Sequence, residues 1–243
     1  MQHIIDTFVQ RHKRPQLVNI QKGKKVLVLA PHPDDEVIGA GGSLLKHRDY
    51  ENKVHIVFIT DGSKGRTREQ SIEETIRVRE KEAINLCNVL SADYSFLKCK
   101  DGEYIPEQSK IQWMRKKIES YNPTDIYLPH LDDSHRDHFM TNILFFEALN
   151  SLPEQGRNIW QYEVWSPVSP NIVINISNEF ERKRELMLLY ESQLQLIPYD
   201  KIMEGLNKYR VATIPLPGIE YIEAFHHSDE QEYKNNVRRR QGE

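Results

Sequence analysis

Several things are scarce in this chain, and each scarcity closes off a class of protein. There are only two cysteines, Cys87 and Cys99, in segments that read as a helix and a strand. They lack the spacing of a zinc-binding pair and cannot build a disulfide framework, so both are expected to be reduced packing residues of an intracellular protein. Long apolar runs are missing too. The first segment, "MQHIIDTFVQRHKR", is interrupted by Asp6 and by basic residues, and no window approaches the length of a membrane span, so a soluble, cytoplasmic protein is expected. There is no excess of positive charge, with Lys plus Arg at 33 against Asp plus Glu at 36, a formal net charge of −3. That balance argues against a nucleic-acid partner. The one basic run, Arg238 to Arg240, reads as a solvated C-terminal tail over residues 231–243. With no Gly/Ser linker and no repeat, the 243 residues read as one main domain over 23–230, preceded by an N-terminal helical extension over 1–22.

What is present is an alternation. "KKVLVLA" (24–30) and "KVHIVFIT" (53–60) are continuous apolar runs, the pattern of strands buried on both faces of a parallel sheet. Between them "EVIGAGGSLLKHRDY" has room for a helix crossing back over the sheet. Ile76, Ala83, Leu86 and Leu90 fall at helical spacing, and "YSFLK" (94–98), "KIQWMRKKIESY" (110–121) and "DIYLPH" (125–130) continue the rhythm. Later segments, "WQYEVWS", "NIVINIS" and "EYIEAF", read as strands, and "NEFERKRELMLLYESQLQ" as an amphipathic helix with Asn178 at its N-cap. The fold class is α/β, an open, mostly parallel sheet with helices on both faces.

Ligands gather at the carboxyl ends of such strands, and "PHPDDE" (31–36) follows the first of them. Pro33 pushes His32 toward an extended conformation while Asp34 and Asp35 open the helix. Acids at a helix start can merely complement its dipole, but that accounts neither for His32 nor for a second cluster, "PHLDDSHRDH" (129–138), which again follows a strand. Two strand ends thus present His and Asp to the same sheet edge. Two histidines, one carboxylate and an open water position make a catalytic zinc arrangement, and a further carboxylate serves as base.

At these residues the sequence resembles the LmbE-like, or PIG-L, family of zinc-dependent N-deacetylases, whose signature is a strand followed by A-H-P-D-D-E and a later H-x-D-H. Here the motifs are Pro31-His32-Pro33-Asp34-Asp35-Glu36, with Pro31 in place of a small residue, and His135-Arg136-Asp137-His138. "TDGSKG" (60–65), "RVREKEA" (77–83), "YESQ" (190–193) and "EAF" (223–225) add support. The resemblance implies a Rossmann-like fold and one Zn2+ per chain, held by His32, Asp35 and His138, with other divalent metals able to fit the same ligands. It makes Asp34 the general base and His135 the group that polarises the reacting carbonyl. Asp137 would orient a histidine from behind, and Arg79 and Asp61 would lie near the sugar. The implied reaction removes the N-acetyl group from an N-acetylglucosaminyl moiety of a small glycoconjugate or glycan precursor; the oligomeric state is left open.

Three other functions compare differently with these residues. A zinc amidase cleaving a larger acyl or thiol conjugate from an aminosugar would use the same residues. A dinucleotide-dependent oxidoreductase needs glycines directly after the strand, whereas here acids come first and would repel phosphates. A noncatalytic carbohydrate-binding protein would need no base at position 34.

Overall fold

A computed structural model of the chain describes residues 14–67, 69–212, 214 and 217–242. In chain order its elements are β1 (Gln16–Val18), β2 (Lys25–Ala30), α1 (Asp35–Asp49), β3 (Lys53–Thr60), α2 (Ile72–Leu90), β4 (Asp93–Cys99), α3 (Gln108–Tyr121), β5 (Asp125–Pro129), α4 (Arg136–Asn150) and β6 (Asn158–Tyr162). There follow β7 (Ile172–Asn175), α5 (Phe180–Leu188), α6 (Glu191–Leu194), α7 (Tyr199–Val211), β8 (Ile222–Asp229) and α8 (Glu230–Gln241).

The eight strands form one sheet in the order β1-β7-β8-β6-β5-β2-β3-β4. Every pairing is parallel except those of β8, which runs antiparallel to both β6 and β7. The continuous apolar runs belong to strands covered on both sides. In β2, Leu27 and Leu29 face a core layer completed by Met114 of α3, Phe145 of α4 and Val237 of α8. Val26, Val28 and Ala30 face the opposite layer, with Val37 of α1, Leu86 of α2 and Met187 of α5. The chain leaves β2 toward β3 and β4 on one side and returns to place β5 on the other. The carboxyl ends of β2 and β5 therefore flank a topological switch point, where an open α/β sheet forms its crevice.

The glycines of α1 have a packing reason. A Cβ on Gly39 would fall 2.2 Å from Tyr162 Cδ2, and one on Gly42 would fall 2.7 Å from Ile176 Cγ2. The helix can lie this close to β6 and to the end of β7 only without side chains there.

Three sequence-based expectations change. Of the expected helical extension, residues 1–13 lie outside the described residues, while Gln16–Val18 form a strand parallel to β7. The basic tail is helix α8, whose start is capped by Asp229 accepting from the Glu232 N–H, with Tyr233 and Val237 in the core. Arg238, Arg239 and Arg240 stand in its last turn, where cations complement the helix dipole. Finally, Glu179 rather than Asn178 occupies the N-cap of α5, without a side-chain capping bond. Among the described residues no helix is long and apolar enough to cross a membrane.

Candidate active site

Both motif corners start at a strand end and finish in the first turn of a helix. After β2, the His32 N–H donates to Asp35 Oδ2 at 2.8 Å, folding the corner so that Asp35 reaches back over His32. Asp34, at the N-cap of α1, has φ 131°, a region costly for any residue with a Cβ. It is held there from two sides: its N–H donates to Glu36 Oε2 at 3.2 Å, and Arg79 Nη2 donates to Pro33 O at 2.7 Å. Glu36 is itself buried under the Tyr190 hydroxyl, which donates to Oε1. After β5, Asp133 Oδ1 accepts the His135 N–H at 2.9 Å, and His135 caps α4 by accepting the Asp137 N–H on Nδ1. With Nδ1 occupied as an acceptor, neutral His135 carries its proton on Nε2.

The two corners meet. Asp35 Oδ2 lies 3.1 Å from His32 Nδ1 and 3.2 Å from His138 Nε2. Behind each imidazole stands another carboxylate. His32 Nε2 is 3.2 Å from Asp137 Oδ2 and 3.3 Å from Asp101 Oδ1, and His138 Nδ1 is 3.3 Å from Asp133 Oδ1. Neither His138 contact is aligned as a hydrogen bond, so both of its ring nitrogens are buried without one. His32, His135 and His138 offer donor nitrogens that all lie within 4.8 Å of one another.

These residues fit a divalent ion. Ligand bonds of about 2.0–2.1 Å at tetrahedral angles set donors ~3.3 Å apart, which is the spacing of Asp35 Oδ2 from both imidazoles. A carboxylate behind each histidine is the usual support of a metal-bound imidazole. The second acidic grouping, His32 with Asp101 and Asp137, is that support for His32.

Charge and burial divide the carboxylates. Burial pushes Asp34 up to about 7, although Arg79, whose Nη2 is 3.3 Å away, pulls the other way. Burial would also raise Asp35, but the charges of His138 and His32 beside it and the hydrogen bonds of His32 prevail and hold it well below the usual carboxylate range. Burial opposes protonation of His32 and His138, yet their carboxylate partners raise both. His135 is lowered by its own burial and by the charges on His32 and His138.

Over the site lies a cleft of about 260 Å³ lined by His32, Asp34, Asp35, Arg79, Asp101 and His135, among others. A larger cavity of about 500 Å³, beside His130 and His226, holds none of these groups. Arg79 lines the cleft and is buried; its guanidinium donates to Gly62 O, Pro33 O and Asp34. Its helix neighbour Glu82 instead accepts from Ser192. Asp61 is not on the cleft wall: its Oδ1 accepts the N–H of Ser63 in its own loop and that of Asp101 in the loop after β4. Sequence reasoning missed Asp101 and Asp133. The first had a signal, an acid before Gly102 where β4 ends. The second did not, because nothing in "LDDS" separates buried Asp133 from Asp132, which forms an exposed ion pair with Arg240.

Known proteins resemble this chain in sequence and in fold. The chain is 28% identical over 189 residues to the diacetylchitobiose deacetylase of Thermococcus kodakarensis, covering 70% of each chain. It is 26% identical over 201 residues to a probable N-acetyl-alpha-D-glucosaminyl L-malate deacetylase 2 of Bacillus cereus, covering 76% of this chain and 90% of the other. The solved N,N'-diacetylchitobiose deacetylase of Pyrococcus horikoshii superposes with a TM-score of 0.77 at 27% identity, covering 86% of this chain and 85% of that one. The sequence profile described as PIG-L, GlcNAc-PI de-N-acetylase, matches residues 27–149. That stretch runs from β2 through almost all of α4, half of the chain and both motif corners, and it makes this protein a member of the PIG-L family.

Proposed function

We propose that the protein is a zinc-dependent N-deacetylase of the cytoplasm that removes the acetyl group from an N-acetylglucosaminyl moiety of a small glycoconjugate or glycan precursor. The observation that carries this reading is the single carboxylate oxygen, Asp35 Oδ2, set between His32 Nδ1 and His138 Nε2, with Asp34 beside it in the cleft. His32, Asp35 and His138 would hold the ion. When bound, it supplies Lewis acidity toward the acetyl carbonyl and toward water.

The chain's own residues supply the rest. Asp34, with a carboxyl near 7, can both take and return a proton at neutral pH. It accepts one from the attacking water as the new C–O bond forms. The His135 Nε2–H donates to the oxygen on which negative charge develops. Collapse breaks the C–N bond, the proton passes to the departing nitrogen, and acetate and a free amine leave. Arg79 keeps Asp34 in place through Pro33 O and the carboxylate itself. Asp137 and Asp101 hold the ring of His32 from behind. Two buried thiols, Cys87 and Cys99, whose pKa values burial raises, suit a reducing compartment.

The test is zinc content together with release of free amine and acetate from a panel of N-acetylglucosaminides. Equal amounts of both products are expected. Folded protein with one zinc per chain that releases neither from any member would end the proposal, and release of a bulkier acid in place of acetate would redirect it to larger amides.

A further inference from the structure

The cleft is lined by two kinds of group. Beside the charged ones described above it has apolar ones, Trp165, Leu196, Ile197 and Tyr199. Trp165 leaves 49% of its surface open and Leu196 38%. Exposed apolar area inside a polar crevice marks a surface that something covers.

Trp165 is held with care. Its backbone N–H donates to Asp133 Oδ2 at 2.9 Å, while Oδ1 of the same carboxylate accepts the His135 N–H and sits 3.3 Å from His138 Nδ1. The loop bearing the indole is thereby tied to the histidine corner. The main chain makes that tie, so it does not require a tryptophan. The indole itself stacks on the His135 ring, with centroids 6.0 Å apart and planes at 25°, and meets Tyr199 edge-on at 6.3 Å. The other two tryptophans are engaged elsewhere: Trp160 donates to Asp125, and Trp113 lies under the Lys117 ammonium.

Resting on the deacetylase reading above, we infer that Trp165, flanked by Tyr199, Leu196 and Ile197, is the platform on which the C–H face of the N-acetylated aminosugar ring packs. A pyranose ring has hydroxyls around its rim and C–H groups on its faces. A flat aromatic surface complements the face while the charged groups of the cleft meet the rim. A ring seated on the indole lies beside His135, in the cleft that Asp34 also lines. Trp165 is thus a positioning residue that sets affinity and orientation, and the chemistry stays with Asp34 and His135.

The experiment uses zinc-loaded protein with N,N'-diacetylchitobiose and methyl N-acetyl-β-D-glucosaminide. It follows amine release, zinc content and tryptophan emission. Trp165→Ala is expected to raise KM about tenfold, the scale of one lost aromatic contact, while kcat changes less than about threefold. Zinc content stays at the wild-type level, and Trp165→Phe recovers most of the affinity. Sugar shifts the emission of the wild-type protein but not of Trp165→Phe. An unchanged KM in Trp165→Ala, or a loss confined to kcat, overturns the platform and leaves deacetylation standing. Saturable emission shifts that vanish in Trp165→Phe, with no amine released by the wild type, support the platform and sink the deacetylase. Neither shift nor release from either sugar overturns both.

Discussion

Asp34 and Asp35 are adjacent and chemically identical, and their surroundings separate them. Asp35 sits between two imidazoles that keep it ionised, as its proposed role of metal ligand requires. Asp34 faces the cleft and Arg79, and burial brings its carboxyl to about 7. Carboxylates pushed apart in this way take different roles, one binding and one moving protons. Asp34→Asn is therefore expected to keep its zinc and lose about 10²–10⁴-fold in kcat, the usual contribution of a positioned base. His138→Ala is expected to lose the zinc. Metal analysis after dialysis, run beside amine release, checks both; zinc lost equally from the two variants would show that the roles are wrongly divided. The residue types are legible in the sequence and the resemblance implies this division, but its physical reason is not legible, because "HPDDE" does not say which carboxylate turns back toward His32. That depends on the His32 N–H bond to Asp35 and on Arg79 arriving from α2. Asp133 was unreadable for the same reason: its identity as support for His138 is a fact of three-dimensional placement.

At the scale of elements, the runs buried on both faces were plain in sequence because strands in the middle of a parallel sheet have no polar side to show. β2 and β3 differ little from the spans read off "KKVLVLA" and "KVHIVFIT". Edge elements were less readable. β1 is three residues long with little apolar patterning, and only its pairing with β7 defines it. α8 hides behind charge, since just Tyr233 and Val237 anchor it among arginines and acids. α1 joins the two levels. Its first turn carries the site, and its last turn carries His47, buried between β3 and β5. Asn52 Nδ2 donates to His47 Nδ1 at 2.9 Å, which leaves Nε2 to donate to the Tyr127 hydroxyl at 3.1 Å. Burial lowers this histidine to about 4, with Asp125 opposing and Lys24 assisting. The unfolded chain takes up a proton near pH 6.5 and the folded one only near 4, so this contribution to stability is complete above 6.5 and lost as pH falls from 6.5 to about 4. At about 1.4 kcal/mol per pH unit, the loss reaches ~3 kcal/mol. Denaturant titrations of wild type and His47→Gln across that window should converge as pH falls, with the variant showing the flatter profile. Parallel profiles would mean that His47 is not buried as a neutral ring.

Taken as a whole, the molecule concentrates acid where the order of its parallel strands reverses, between β2 and β5. Asp34, Asp35, Asp101, Asp133 and Asp137 surround three histidines, and all five carboxylates are buried. Nothing in the chain's overall charge of −3 hints at this density. It arises because the crossing order of the sheet brings the ends of β2, β4 and β5 to one edge. The sequence did show that the ends of β2 and β5 carry His and Asp, and alternation of strands and helices implied a common edge. It could not show the order β5-β2-β3-β4, which decides that the corners after β2 and β5 are neighbours. Gathering so many carboxylates works against folding unless a cation compensates them, and a divalent ion that binds only the folded chain adds RT ln(1 + [L]/Kd) to stability. At a thousandfold excess over Kd this is about 4 kcal/mol, and for a chain of this size it should move Tm by roughly 10 °C. Chelation is expected to lower Tm by that amount and to abolish amine release, and added Zn2+ should restore both. His138→Ala should melt at the same temperature with or without zinc. A wild-type Tm indifferent to chelator, in protein shown to have lost its metal, would mean that hydrogen bonds alone hold the acidic corner together, and that the ion has no part in keeping β2 and β5 in register at their ends.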